Sequence, residues 1–471
     1  MIISNHRIYL YILIIVSAGN PLVNAATDQN WPGIFDPDLL LTLNIQIEPN
    51  DWDIIVNDVT FDIERPAMFW AEGEENNKLY VSVRRKSSAP IFPAFGTGGP
   101  KISLKIDINE YISQDWHGLI KLSLENGADN NVLSEGIACN LHRMASCSAG
   151  YGYDAWRANW VKLYVNGHYY GVYVNAEDLD KRFLQNRLLY VYHETWLYQY
   201  RGEYDFSLEV GWNDFPRSPT VNELCYRPFR NESDPALIPD VFCNPPDSST
   251  LVQQLDALIN MRGMLSMAAV DAFISNPDSL FSHERNGHFL DFSLADGRKR
   301  MYFPWDVDAS NFQTYTDIYG NATDYQRLIL GNPVFRKRYQ QIMCDLLAGP
   351  FSEVNLMAFI DMIEPVLSQA VADDPYNKLD SNTIEGVTAE FDNIRQKLIA
   401  RIANVKIQAG CPVCVDANLD GIGPVNFVDF SIFANNWQLT GISNNADIDN
   451  DGNVDIKDLR DIVLYWLSDC P

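Results

Sequence analysis

Alternation of apolar and polar residues at period two marks the strands of the first 210 residues. Leu41-Thr-Leu-Asn-Ile-Gln-Ile, Leu79-Tyr-Val-Ser-Val and Ile102-Ser-Leu-Lys-Ile-Asp-Ile each put their apolar side chains on one face. Two β-rich runs, 160–165 and 169–174, flank Asn166-Gly167, a dipeptide that tolerates the positive φ angles of a tight hairpin turn. The period shifts to that of a helix over 134–144, 251–275 and 327–408, and the stretch between Gly287 and Trp305 suggests another hairpin. A Pro-, Asp- and Ser-rich stretch from about 213 to 250 reads as a loop between the two regimes. The predicted class is α+β: a sheet-rich lobe to about 210, a helix-rich lobe from about 250, and a cleft between them.

The last sixty residues carry a different pattern, an acidic loop followed by an apolar helix face, and it occurs twice. The second copy has Asp447, Asp449, Asp451, Asp455 and Asp458 at loop positions 1, 3, 5, 9 and 12, with Gly452 at position 6. That is the oxygen-ligand spacing of an EF-hand calcium loop. The first copy has Asp416, Asn418, Asp420 and Asp429, with Gly423-Pro424 inserted. The helix faces that follow, Phe430, Phe433, Trp437 and Leu459, Ile462, Trp466, repeat at an offset of 29 residues. Ca²⁺ is the cation this spacing calls for.

Residues 1–25 read as a secretory signal, with Arg7 before an apolar stretch over 9–16 and Val23-Asn24-Ala25 as the cleavage site. The stretch is too short to span a bilayer and no later segment reaches that length, so no membrane span is expected after cleavage. The predicted protein is therefore secreted or held at the cell surface. Its formal net charge is −27, of which residues 411–471 supply −8 (ten Asp against Lys457 and Arg460). Such acidity repels nucleic acid and anionic membranes, so neither is an expected partner. Eight cysteines in an exported chain permit disulfides. Cys139 with Cys147, Cys225 with Cys243, and Cys411 or Cys414 with Cys470 are the candidate pairs. Cys411-Pro-Val-Cys414 could instead form a redox or zinc half-site.

Three features carry candidate chemistry. Lys105 interrupts an apolar strand, Asp278 follows an apolar helix with Asn286 eight residues on, and Asp306 and Asp308 end a strand. A strand lysine that neutralises phosphates, an Asp that orients a hydroxyl, and an Asn and Asp that hold Mg²⁺ are the components of phosphoryl transfer. Read as isolated residues, Asp278 can equally cap a turn and Asp306 accept loop hydrogen bonds. His283 is either an acid/base or a hydrogen-bonding turn residue. Asp306 and Asp308 lie too close along one strand to flank a glycosidic bond.

Five segments appear in a fixed order: Val81-Ser-Val83-Arg84-Arg85-Lys86, Lys101-Ile-Ser103-Leu-Lys105, Gly118 to Asn126, Leu163-Tyr-Val165-Asn166-Gly167-His-Tyr169-Tyr-Gly171 continuing to Glu177, and Phe303-Pro304-Trp305-Asp306-Val-Asp308. With Asp278 and Asn286 they make residues 38–410 resemble the CotH (spore coat protein H) kinase family, which implies an atypical protein-kinase-like two-lobed fold over 26–410. The resemblance implies that Lys105 contacts the phosphates of ATP and that Glu135 is its ion-pair partner. It makes Asp278 the catalytic aspartate, and Asn286, Asp306 and Asp308 the Mg²⁺ ligands. Arg84 and Glu177 fall on the nucleotide side.

Residues 411–471 resemble a type I dockerin, which implies a small all-α paired calcium loop-helix domain and a cohesin-like or other cell-surface docking partner. Its recognition positions would be Phe427-Val428 and Ile456-Lys457. Together the resemblances imply an exported, ATP- and Mg²⁺-dependent kinase acting on a hydroxyl of a protein substrate and tethered by the calcium module. The alternatives are a non-catalytic surface scaffold or a component associated with polysaccharide degradation on the same fold.

Overall fold

Seven strands close into a barrel. In chain order the elements are β1 (Leu41–Ile47), α1 (Pro49–Asn57), β2 (Arg65–Ala71), β3 (Leu79–Arg85), β4 (Leu104–Asp107), β5 (Lys121–Glu125), α2 (Val132–Cys147), β6 (Ala158–Val165) and β7 (His168–Ala176). The strands run β1-β2-β3-β4-β5-β7-β6 around the barrel, and β6 returns parallel to β1 to close it, with Leu43 beside Leu163. Leu43, Ile45, Phe69, Val81, Val83, Leu104, Ile106, Leu122, Leu124 and Leu163 fill the interior and are essentially fully buried. Each such side chain contributes roughly 1.5–3 kcal/mol relative to exposure. The structure is a computed structural model and describes residues 33–86, 90–92, 100–128, 131–147, 151–192, 194–202, 205–210, 248–283, 286–292, 298–320, 323, 325–379, 381–412, 414–440, 445–449 and 451–467. The signal-like residues 1–25, most of the 213–250 stretch, Cys225 and Cys243, and Cys470 lie outside the described residues.

A short helix α3 (Lys181–Asn186) leads to β8 (Thr195–Gly202) and β9 (Asp205–Val210). These two strands leave the barrel. They join a second sheet of order β11-β10-β8-β9 with β10 (Gly287–Phe292) and β11 (Met301–Pro304), so the hairpin suggested near 287–305 is present and the second sheet starts before the 213–250 stretch. Between them in sequence stand α4 (Ser248–Leu258), α5 (Met261–Ile274) and the single turn α6 (Leu280–His283). Helix α5 is apolar nearly all round and buried nearly all round, the signature of a core helix.

The region 327–408 is helical but divided. A π turn (Gln326–Leu330) precedes α7 (Pro333–Ala348), α8 (Glu353–Ala372) and α9 (Ile384–Ala409). The breaks are set by capping side chains, because Asn332, Ser352 and Thr383 each accept from backbone amides two or three residues on. The expectation that no segment after residue 25 is long and apolar enough to cross a bilayer is corrected by helix α8, which has that length and apolarity, although its Leu356, Phe359, Ile360, Ile363 and Leu367 pack in the core.

The β6–β7 hairpin docks the barrel onto the helices. Gly171 has φ +98°, and a Cβ there would lie 2.2 Å from Asp374 Oδ1. Asp374 accepts from Val172 N at 2.8 Å and from Lys101 Nζ at 3.1 Å, an ion pair with both side chains buried. Tyr169 Oη donates to Ala370 O at 2.9 Å.

Two cysteine expectations are corrected. Cys139 is a free, buried thiol. It shares helix α2 with Cys147, and eight residues of helix separate the two Cα atoms by about 12 Å, beyond disulfide reach. Cys411 bonds Cys344 rather than Cys470, because α9 returns its end beside α7. That excludes a Cys411–Cys414 redox pair. Beyond Cys411, α10 (Cys414–Ala417), α11 (Phe427–Asn435) and α12 (Ile456–Leu464) gather around their own cluster of Ala417, Val425, Phe433, Ile448, Leu459 and Ile462.

Candidate active site

The outer face of β3, β4 and β5 is a platform of charged side chains. The register sets Arg84 beside Lys105, Lys105 beside Ser123, and Asp107 beside Lys121, so their side chains share the face opposite the apolar barrel interior. Lys86 and Glu125 continue these rows, and the Lys86 ammonium is bonded to Glu125. Lys105 Nζ lies 2.8 Å from Asp178 Oδ2, just past the end of β7. Burial works against the charged form of Lys86, but Glu125, Asp306 and Asp178 outweigh it and raise the ammonium's pKa. For Asp178, burial favours the neutral acid, yet Lys105, Lys86 and Lys121 hold it below the usual carboxylate range.

Facing this platform is the end of the β10–β11 hairpin. Gly287 pairs with Pro304, so Asn286 and Asp306 leave the hairpin at the same end. Both adopt left-handed backbone, φ +52° and +56°, which Asn and Asp take more readily than other side-chain-bearing residues. Glu135 reaches the same spot from the first turn of α2. Burial first, then repulsion from Glu125, Asp308 and Asp306, drive its pKa well above the usual range. Its Oε2 is buried with no hydrogen-bond partner. Lys86 Nζ also sits 4.8 Å from the ring centre of Trp305, beside Asp306.

Asp278 lies in the turn after α5. Ser275 ends that helix in left-handed backbone, and the Asp278 amide donates to Asn276 Oδ1 at 3.1 Å. His283 Nδ1 bonds Pro277 O, which gives this histidine the turn-holding role.

A family model described as CotH kinase protein matches residues 97–404. The chain belongs to the CotH kinase family. No curated protein matches the chain. The match spans β4 to α9 and therefore covers Lys105, Glu135, Asp278, Asn286, Asp306 and Asp308. Arg84 and Lys86 precede it, and residues 411–471 follow it.

Within this CotH-family chain, three implied roles meet different surroundings. The partner of Lys105 is Asp178, not Glu135, because β4 places its side chain toward the end of β7 while Glu135 points to Asp306 and Asp308. Arg84 turns away from the cluster, donating to Phe61 O at 2.6 Å and lying 4.0 Å from Glu64. Glu177 is already saturated: Arg157 Nη2 lies 3.0 Å from Oε1 and Arg187 Nη2 2.9 Å from Oε2. It joins the ends of β6 and β7 to the segment after α3. The residues that sequence inspection passes over are Lys86, Glu125 and Asp178. A signal for the first two exists, since Arg84/Lys86, Lys105/Asp107 and Lys121/Ser123/Glu125 alternate at period two on three adjacent strands.

In the tail, Asp447, Asp449 and Asp451 offer carboxylate oxygens within 4.8 Å of one another. Asp458 closes the loop by accepting from Ile448 N at 2.6 Å and Asp455 N at 2.8 Å. In the first loop Asp429 accepts from Asp420 N at 3.1 Å and Asn426 N at 2.8 Å, although Gly423-Pro424 is inserted. Asp447 Oδ1, Asp449 Oδ2 and Asn418 Oδ1 are buried without hydrogen-bond partners. Burial, then Asp458 and Asp451, push Asp449 up to about 7. Asp416 falls within the short helix α10, Asp420 accepts from Ile422 N at 2.8 Å, and Asp455 caps α12.

Proposed function

We propose that this CotH-family chain is an exported protein kinase that transfers the γ-phosphate of ATP to a hydroxyl of a protein substrate. The observation that carries the reading is the convergence of the Lys86/Lys105 platform with Asp306, Asp308 and Glu135. Lys86 and Lys105 would bind the phosphates. Asn286, Asp306 and Asp308 would hold Mg²⁺, which when bound neutralises phosphate charge. The partnerless Oε2 of Glu135 and the mutual repulsion of the surrounding carboxylates fit a cation there. Asp278 would accept the proton of the acceptor hydroxyl.

The tail would be a calcium-dependent, dockerin-like attachment module that binds a cohesin-like or surface partner. Its support is the three-carboxylate group with buried, partnerless oxygens, a donor set suited to Ca²⁺. Phe427, Val428 and Ile456 are exposed, as a docking face requires.

Residues 26–471, incubated with labelled ATP and Mg²⁺, should incorporate label into protein. Asp278→Ala and Asp306→Ala should abolish incorporation, and Lys86→Met should raise KM for ATP. Incorporation that persists unchanged in both aspartate variants overturns the kinase reading. Nucleotide binding without transfer points to the scaffold alternative.

A further inference from the structure

We infer that His142 on α2 is a positioning residue for Asp278, acting through Asp271 and Asn276. The inference rests on the phosphotransfer reading above and adds a part to it.

The relay is continuous and buried. His142 Nε2 lies 3.3 Å from Asp271 Oδ1. The same oxygen accepts from Asn276 Nδ2 at 3.3 Å, and Asn276 Oδ1 accepts from the Asp278 amide at 3.1 Å. His142 is fully buried, and Asp271 and Asn276 are each 3% exposed. On the other side of the imidazole, Nδ1 is 3.2 Å from Tyr153 Oη, and the ring stacks on Trp156 with centroids 5.8 Å apart. The ring is thus held at both nitrogens and one face.

The chemistry of the amide explains why the relay matters. An asparagine side chain has a donor end and an acceptor end that can exchange by a flip. Asp271 is an acceptor only, so it binds the NH₂ end of Asn276 and leaves the oxygen for Asp278 N. The Nε2–H of His142 in turn gives the buried Asp271 carboxylate a second donor, which an isolated buried carboxylate needs. Without that donor, Asp271 would weaken its hold on Asn276, and the turn would be free to reorient. Room for such movement exists, because a cavity of about 180 Å³ lined by Asp271, Asn276, Pro277 and Ser279 lies behind the turn. The same helix carries Glu135 two turns earlier, facing Asp306 and Asp308. One rigid rod therefore relates the metal-side carboxylates to the acceptor-side aspartate.

The test compares His142→Phe (ring kept, donor lost), His142→Gln (donor kept), Asn276→Ala and Asp278→Ala in the transfer assay. His142→Phe and Asn276→Ala should each lower kcat roughly ten- to a hundredfold, the scale of a small misplacement of a reacting group. KM for ATP should stay within about twofold, since binding is not the relay's task. His142→Gln should recover most of the loss. If His142→Phe fails to fold, Asn276→Ala, outside any helix, carries the comparison. Wild-type kcat in His142→Phe and Asn276→Ala, alongside an inactive Asp278→Ala, overturns the relay and leaves the kinase reading intact. A parallel loss of ATP affinity and melting temperature, unrescued by His142→Gln, also overturns it. Unchanged transfer in Asp278→Ala removes the kinase reading itself.

Discussion

At Glu177 two guanidinium groups and the Arg157 amide converge on one buried carboxylate. Burial by itself would raise this group's pKa, but Arg187 and then Arg157 overcome it and hold the acid at about 2 against an ordinary 4.5. A carboxyl with a depressed folded-state pKa stabilises the fold above its unfolded value and loses that contribution as pH falls through the folded one. Glu177→Gln should therefore cost about 3–5 kcal/mol at pH 7, the usual cost of stripping a buried ion pair of one partner. The deficit relative to wild type should shrink between about pH 4.5 and 2, as wild type loses the same pair. Urea unfolding at pH 7 and pH 3 reads both effects, and an unchanged nucleotide Kd would confirm a joint rather than a ligand contact. Glu135 is the opposite case, a buried acid with more carboxylates than cations around it. The same residue type at similar burial is a structural anion in one place and a candidate site acid in the other, and only its neighbours decide which.

At the scale of elements, the β6–β7 hairpin links barrel and helices through one glycine. Its Asn166-Gly167 turn has φ +52° and +80°, as the dipeptide predicts. Farther along, Gly171 is required for a tertiary reason, since any side chain would collide with Asp374. Gly171→Ala should displace Asp374 and leave Lys101, 1% exposed, without its counter-ion. The expected destabilisation is at least about 3 kcal/mol, visible as a lower urea midpoint, and Gly167→Ala, whose Cβ would meet open space, should cost less. One of the segments that resemble the CotH pattern is thus an architectural joint, while the polar chemistry gathers on β3, β4 and β5. The π turn before α7 and the closure of β1 onto β6 had no legible periodic signal, because closure depends on which strand edges meet and not on any single strand's pattern.

At the scale of the whole molecule, a disulfide and an ion pair among the described residues hold the tail to the body. The Cys344–Cys411 disulfide closes a 67-residue separation, and Arg460 on α12 lies 2.5 Å from Asp345 on α7. Within the tail the second acidic loop leaves buried carboxylate oxygens of Asp447 and Asp449 unsatisfied, which a bound Ca²⁺ would relieve. Chelator should therefore make residues 414–467 sensitive to protease, and added Ca²⁺ should protect them. A nick introduced between α9 and Cys411 should leave the pieces joined on a non-reducing gel and separate them on a reducing one. Calcium-independent protection would remove the cation from the account of the tail.

Much of this was determined by the chain alone. Period-two and period-3.6 patterning specify β1, the β6–β7 hairpin, α2 and the long helical region, because each side chain's face follows from its position within a single element. The acidic loop spacing was likewise legible in its residue types, whereas Asp278, Asn286 and Asp306 stood out only through the resemblance to the family, since each could equally serve a turn or loop. What only tertiary structure decided is who meets whom. Lys105 turns to Asp178, Lys86 takes Glu125, Arg157 and Arg187 claim Glu177, and Cys411 finds Cys344 across 67 residues. These pairings depend on the distances between elements far apart in sequence, and a one-dimensional pattern carries no term for that distance.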